Sequence, residues 1–417
     1  MNAHIISIGD ELLIGQTVNT NAAFIGLMLS DLGIIVSKQT SISDTEEDIM
    51  SELHLTLAKN DLVITTGGLG PTHDDVTRSA FIRFFKTELT MNQEVLDKIK
   101  ERFKILNRSM SKVNESQALI PNNARIITNN AGTAPGFWIE EAGKLVIALP
   151  GVPFEMEAMM RDYVSPKLAD ILHDEKIIKR LTLMTTGIAE SSLYEKLGDI
   201  DELMQGEKLA FLPDPFGVKL RITVVGDTTD AVNNKLIEIE QRIRGVAGRY
   251  IYGKENEQLP EVVGRLLKER GYSLSIAESC TGGFISHLLT NYAGCSLFFE
   301  RGLVTYSNAA KVELLKVDEN LISKCGAVSL EVARQMAEGI KSTSGTDIGL
   351  SVTGIMGPGG GSDDKPVGTV FIGICDNKVC TAQRFNFAND RVINKKRTAQ
   401  AALDFLRKHL LGISYEA

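Results

Sequence analysis

The chain has 417 residues, enough for about three domains, and its 43% apolar and 24% charged content is that of a soluble globular protein. A net charge of −8 with no broad basic stripe argues against nucleic acid as the main partner. The five cysteines, Cys280, Cys295, Cys325, Cys375 and Cys380, form no CxxC pair, so neither disulfides nor zinc are expected and a reducing, cytoplasmic setting is.

Residues 4–8 read as an apolar strand that ends in Gly9-Asp10-Glu11-Leu12-Leu13. No secretory pattern precedes it, and no apolar run in the chain has the length of a membrane span. A helix over 21–32 and a strand over 34–38 follow. Asp44-Thr45-Glu46-Glu47 is a capping-box pattern that opens a helix to about Lys59. Leu62-Val63-Ile64 is a buried-strand run that breaks at Thr65-Thr66-Gly67-Gly68-Leu69-Gly70-Pro71-Thr72-His73-Asp74-Asp75, and the apolar spacing of 76–85 predicts a helix behind it. This alternation of strand and helix predicts a parallel, doubly wound α/β sheet with ligands at the carboxyl ends of its strands.

Glycines at such an end let backbone N–H groups approach a phosphate, and the following helix adds its dipole. Adjacent carboxylates repel a phosphate unless a cation lies between them. Gly67, Gly68, Gly70 and Thr72 are therefore candidate phosphate contacts, and Asp74 and Asp75 candidate metal ligands. The alternative is a Gly-rich turn whose aspartates cap the helix. Asp10 and Glu11 fall on the same predicted sheet edge and join the metal candidates; alone they would read as a helix cap.

A polar helix over 93–107 leads to Asn114-Glu115-Ser116-Gln117-Ala118. The small-residue loop around Asn129, Gly132 and Thr133 suggests a second close approach to a ligand. A strand over 145–149 ends at Pro150-Gly151-Val152-Pro153, with a further carboxylate at Glu155. Residues 173–253 read as a small α+β module of the order strand, helix, two strands, helix, without clustered catalytic residue types. Gly187-Ile188-Ala189-Glu190-Ser191 reads as a turn with a helix cap, and Gly253-Lys254-Glu255-Asn256-Glu257 as a polar linker.

The last domain, 254–417, opens with a helix from about Gln258 to Arg270. A strand over 272–276 breaks at Ala277-Glu278-Ser279-Cys280-Thr281-Gly282-Gly283 before a helix over 284–291. This second strand–turn–helix unit carries hydroxyls and a thiol instead of paired aspartates. Backbone N–H groups there can hold an oxyanion, and Ser279 needs a base. No Asp/Glu/His triad is evident, and His287 lies two helical turns past Cys280. Lys311 is the first candidate, provided burial lowers its pKa. The plainer alternative is that Ser279 caps the helix and Lys311 is solvated. A glycine run with Gly357 follows a strand over 348–351, and Arg391 behind Asp390 opens the final helix. Gly357 and Arg391 are candidates for a nucleotide phosphate, against a flexible turn and a surface arginine. The basic run Lys395-Lys396-Arg397 reads as a solvated helix face.

The motifs at 9–13, 66–75, 132–136 and 150–153 resemble the N-terminal half of CinA proteins, the competence/damage-inducible proteins of bacteria. That half looks like the molybdopterin-binding fold and is similar to domains that hydrolyse ADP-ribose with a divalent metal. The resemblance implies such a domain over 1–172, using Mg²⁺, Mn²⁺ or Co²⁺; oxygen ligands favour hard ions. Residues 277–283, 299–302, 304–311, 326–329 and 365–370 resemble the nicotinamide mononucleotide (NMN) deamidases of the PncC type. The resemblance implies a serine–lysine amidase without a cofactor. Carried over, Ser279 is the nucleophile, Lys311 its base, Tyr306 and Thr353 assisting groups, Gly282 and Gly283 part of the substrate turn, and Arg391 a phosphate contact. Where the family often has an arginine one turn after Arg391, this chain has Lys395, which keeps the charge but loses the bidentate fork. The family also implies a homodimer. The expected function is a bifunctional hydrolase acting on NMN and ADP-ribose; the alternative is a molybdopterin- or nucleotide-binding protein with little or no turnover.

Overall fold

The structure, a computed structural model, describes residues 1–72, 75–172, 176–387 and 390–415. It divides into two compact units, Met1–Lys179 with Val225–Val232, and Arg180–Val224 with Asn233–Ala417.

The first unit contains β1 (Asn2–Ile8), β2 (Ile35–Ile42), β3 (Leu62–Thr66), the short pair β4 (Leu89–Met91) and β5 (Leu119–Pro121), then β6 (Ala124–Ile127), β7 (Gly136–Glu141) and β8 (Lys144–Leu149). Its main sheet has the order β2-β1-β3-β8-β7-β6. The first four strands are parallel, and β7 runs antiparallel to both β8 and β6. All five residues of β3 are buried, as a strand covered on both faces requires. Successive side chains point to opposite faces. Ile5 and Ile64 join Ile25 and Trp138 in one core, while Ile6 and Val63 join Leu53 and Phe81 in the other.

The doubly wound half was predicted; the antiparallel edge was not. Gly136-Phe137-Trp138-Ile139 is buried at every position, so it shows no alternation that would mark a strand. The topology places β1 beside β3, with Ser7 opposite Thr66. The loops after both strands therefore leave side by side, at the edge where ligands were expected. Gly67 fits there only as glycine: its φ is +115°, and a Cβ would lie 2.2 Å from the Ile8 carbonyl oxygen.

The middle of the chain forms a sheet of β9 (Ile177–Thr185), β10 (Lys208–Asp214), β11 (Gly217–Gly226) and β12 (Ile251–Lys254) in the order β10-β11-β9-β12. Gly253 and Lys254, expected in a linker, instead pair antiparallel with Met184 and Leu183. A short edge strand needs no apolar alternation on its exposed side, which is why polarity misled there.

The C-terminal sheet consists of β13 (Leu274–Glu278), β14 (Phe299–Val304), β15 (Ile348–Gly354), β16 (Thr369–Cys375) and β17 (Cys380–Asn386), ordered β14-β13-β15-β16-β17. The first three are parallel and the last two antiparallel. Helices Leu259–Arg270 and Arg391–Leu411 supply the core on one face, and helix Leu330–Ser344 that on the other. The expectation of no disulfide is overturned: Cys375 and Cys380 are bonded. They are direct cross-strand partners in the β16–β17 hairpin, a juxtaposition set by register that cysteine spacing does not reveal. Within the same unit, Arg407 is buried. It pairs with Asp404 at 2.8 Å and donates to the carbonyls of Arg249 and Ile251, fastening the final helix to the entry of β12. Among the described residues no helix is long and apolar enough to cross a membrane.

Candidate functional site

Strand β13 delivers Ser279 to the carboxyl edge of the C-terminal sheet. Ser279 is 8% exposed, and its N–H donates to Val352 O of β15 at 3.0 Å. The turn 279–283 closes through Gly282 and Gly283, both at positive φ, before helix Phe284–Thr290 begins. Ser279 does not cap that helix. The wholly buried Glu278 carboxylate does, accepting the N–H of Ile285 (3.1 Å) and the N–H and hydroxyl of Ser286 (2.8 and 2.7 Å). Charge-assisted bonds of this kind hold a helix start firmly, and the serine hydroxyl is left for other use. Among the described residues, the N–H groups of Cys280, Thr281 and Gly283 have no backbone carbonyl partner.

Lys311 comes from helix Asn308–Leu315 and is 1% exposed. Its Nζ lies 3.2 Å from Ser279 Oγ and donates to the carbonyls of Thr305 (2.8 Å) and Tyr306 (3.2 Å). A neutral amine has two hydrogens and one lone pair. Carbonyls can only accept, so they take both hydrogens and leave the lone pair to the serine hydroxyl. Burial lowers the Lys311 pKa and so favours that neutral form; proximity to Cys280 opposes this only in part. The neighbouring Cys280 thiol is pushed up to about 12, chiefly by burial, which keeps it protonated and a poor nucleophile.

The other expected residues fall around this pair with altered duties. Arg391 donates through Nη1 to Gly357 O at 2.7 Å and through Nη2 to the Tyr306 hydroxyl at 3.1 Å, clamping two loops together. Tyr306 is 61% exposed, and its carbonyl rather than its ring touches Lys311. Thr353 spends its hydroxyl proton on Ala327 O at 2.9 Å. Lys395 Nζ lies 3.6 Å from where a Cβ on Gly282 would be, which puts a cation at the turn. Sequence reasoning missed Glu278, although it lies within a quoted motif: a carboxylate at a strand end that reaches forward to residues 285 and 286 leaves no local capping pattern. It also missed the buried hydroxyls of Thr281 and Thr305, which have no hydrogen-bond partner among the described residues.

At the corresponding edge of the first unit, a cavity of about 350 Å³ is lined by Glu11, Gly67, Gly68, Gly70, Asp75 and Glu155. The loops after β1, β3 and β8 thus do meet. The details differ from expectation. Asp75 accepts the N–H of Gly70 (2.8 Å), and the N–H (2.7 Å) and hydroxyl (2.6 Å) of Thr72, so it braces its own turn. Asp10 accepts from the Ser43 hydroxyl at 2.7 Å. Gly132 packs against the Glu155 carboxylate, Thr133 lines the cavity, and Asp74 lies outside the described residues. Among the described residues no group of three or more His, Cys, Asp or Glu side chains is gathered closely enough to hold a metal ion.

Three family profiles match the chain: a probable molybdopterin binding domain over residues 4–170, the damage-inducible protein CinA KH domain over 180–253, and the CinA C-terminal domain over 256–410. A putative competence-damage inducible protein from Caldicellulosiruptor saccharolyticus is 44% identical over 412 residues, covering 99% of this chain and 100% of that one. The chain belongs to the CinA family. A CinA-like protein from Chloroherpeton thalassium is 42% identical over 98% of this chain and 99% of its own. A solved CinA structure from Thermoplasma acidophilum, of unknown function, is 38% identical over 40% of this chain and 97% of its own, with a TM-score of 0.38. In this CinA-family protein the small α+β module is thus a KH domain, and the lysine-facing serine lies in the CinA C-terminal domain.

Proposed function

We propose that the C-terminal domain is a serine–lysine amidase that hydrolyses the carboxamide of NMN. The observation that carries this is the buried Lys311 amine, held by two carbonyls with its remaining direction on Ser279 Oγ. Ser279 Oγ attacks the amide carbon as its proton passes to Lys311 Nζ. The oxygen that gains charge is met by N–H groups of the turn 279–283. Lys311 then returns the proton to the departing nitrogen, which leaves as ammonia. A water, deprotonated by the same amine, cleaves the acyl ester and restores both groups. The choice of NMN rests on the likeness of 277–283 and 304–311 to NMN deamidases, supported by two cations, Arg391 and Lys395, one helical turn apart beside the glycines. The test is ammonia release from NMN by the full-length protein and by Ser279→Ala. Equal rates in the two would refute the assignment.

A second reading is favoured by the carboxylate-lined cavity of the first unit: metal-dependent cleavage of ADP-ribose to AMP and ribose 5-phosphate. Glu11, Asp75 and Glu155 line the cavity without being gathered into a three-carboxylate cluster, so a hard divalent cation there would be held by one or two of them and take its remaining oxygens from water and the substrate's phosphates. When bound, such an ion would polarise a phosphoryl oxygen and lower the pKa of a water. The chain's own part is to shape the pocket: Gly67 and Gly68 bring backbone close, and Asp75 fixes the turn. Product analysis with ADP-ribose, with and without a chelator, tests this reading, and cleavage indifferent to chelation would count against it.

A further inference from the structure

Gln117 is a polar residue in the first unit that neither reading uses. It sits in the 3₁₀ turn Ser116–Ala118, is 1% exposed, and lines the same cavity of about 350 Å³ as Gly67 to Gly70, Asp75 and Glu155. Its backbone is fixed on both sides. The Arg78 guanidinium donates to Ser116 O, and the Asn92 N–H donates to Ala118 O at 2.8 Å. Yet neither Nε2 nor Oε1 has a hydrogen-bond partner among the described residues. Burying an amide with both ends unmet is unfavourable, and native folds seldom tolerate it without a reason.

The unmet groups define what would satisfy them. A phosphate accepts and would use only the N–H₂ end; a cation would use only the carbonyl. Either leaves the other end orphaned. A ligand that presents a donor and an acceptor side by side meets both, as adenine does when an amide side chain grips its amino group and ring nitrogen. We propose that Gln117 is a specificity-determining residue that reads the amino-substituted edge of a purine or pteridine ring bound in this cavity. The glycine turn then serves the ligand's charged portion and Gln117 its heterocycle. The inference deepens the ADP-ribose reading of the same cavity and rests on it for the choice of an adenine nucleotide as probe.

The test measures binding by the full-length protein, wild type against Gln117→Met and Gln117→Glu, with Mg²⁺ present and with AMP, ribose 5-phosphate and 6-hydroxymethylpterin as separate probes. Gln117→Met keeps the length and removes both polar groups; Gln117→Glu keeps the size and removes the donor. The expected result is that both variants bind the heterocyclic probe about ten- to a hundredfold more weakly, the range of one bidentate contact, while ribose 5-phosphate binding is unchanged. Loss with AMP identifies a purine site, and loss with the pterin a pteridine site. The ligand-free melting temperature of Gln117→Met should equal or exceed that of wild type, because an unmet amide has been replaced by an apolar group. A purely structural glutamine predicts the opposite sign. Heterocycle binding that is the same in wild type and variants, no binding of either heterocycle to wild type, or a lowered melting temperature in Gln117→Met overturns the proposal. If AMP binds in a Gln117-dependent way but ADP-ribose is not cleaved, the pyrophosphatase reading fails and this inference stands. If ADP-ribose is cleaved with KM unchanged in both variants, the reverse holds.

Discussion

Lys311→Met removes the amine on which the amidase reading depends while nearly preserving side-chain volume. A lysine at its ordinary pKa of 10.5 is neutral in only about one molecule in three thousand at pH 7, and each unit of downward shift multiplies that fraction by about ten. The protein supplies such a shift: Lys311 is buried, and the neighbouring Cys280 restores the charged form only in part. Because the base must be neutral to accept the Ser279 proton, log kcat/KM for ammonia release from NMN should rise with pH at unit slope. It should level off at the Lys311 pKa, below the ordinary lysine value. In Lys311→Met the rate should fall by about a thousandfold or more, as for other members of a catalytic unit, and the limb should vanish. Linkage adds a second readout. The folded protein binds fewer protons at this site than the unfolded chain between the lowered folded pKa and the ordinary one, so stability contributed by this group rises with pH across that window. The Met variant should lose that slope. The assay is coupled ammonia detection from about pH 5 to about pH 10, with thermal unfolding in the same buffers. Wild-type turnover in Lys311→Met, or a wild-type rate independent of pH, would refute the argument.

Other outcomes follow from the same geometry. Cys280→Ala should keep ammonia release within a few-fold of wild type, whereas Ser279→Ala should abolish it, because burial keeps the Cys280 thiol protonated to about pH 12; parallel kinetics with NMN check this. Chelation should stop ADP-ribose cleavage and leave ammonia release intact, as seen by product chromatography from one preparation given both substrates. Asp404→Ala should destabilise the C-terminal unit by about 3–5 kcal/mol, since it strands the buried Arg407 guanidinium; chemical denaturation measures the loss.

The fold was legible wherever burial follows a local rule. Apolar runs leading into glycine-containing turns marked β1, β3, β8 and β13, and the Asp390 cap marked the final helix, with its carboxylate accepting from the N–H groups of Val392 and Ile393. It was illegible where pairing partners decide. β7 is buried along its first four residues, β12 runs on into the polar stretch at Gly253 and Lys254, and the Cys375–Cys380 bond exists because hairpin register sets the two residues opposite each other. For the site, the serine and lysine were nameable from motif likeness. That a carbonyl pair would orient the lysine was not, since Thr305 and Tyr306 act through backbone atoms that any residue type supplies.

The two strand–turn–helix units look alike in sequence and differ in what their turns have free. In the first unit the Asp75 carboxylate already occupies the N–H groups of Gly70 and Thr72. An incoming phosphate can use those donors only by displacing an internal anion, which cancels much of the gain and adds charge repulsion. The Gly67 N–H is likewise spent, donating to Leu149 O at 3.1 Å, so of the four expected phosphate contacts Gly68 alone shows no partner for its N–H among the described residues, and Gly70 and Thr72 act through Asp75. In the C-terminal unit the internal anion, Glu278, sits behind the turn and takes its hydrogen bonds from residues 285 and 286, beyond the glycines. The donors at Cys280, Thr281 and Gly283 therefore have no backbone carbonyl to give up, and those of Cys280 and Thr281 meet the Cys280 sulfur, a weak acceptor beside Ser279. Catalysis gains most from donors preorganised toward developing charge and not spent in the resting state. On that criterion an oxyanion at the C-terminal turn would have only a weak sulfur contact to displace, whereas an anion at the first turn would need a cation or a rearrangement of Asp75.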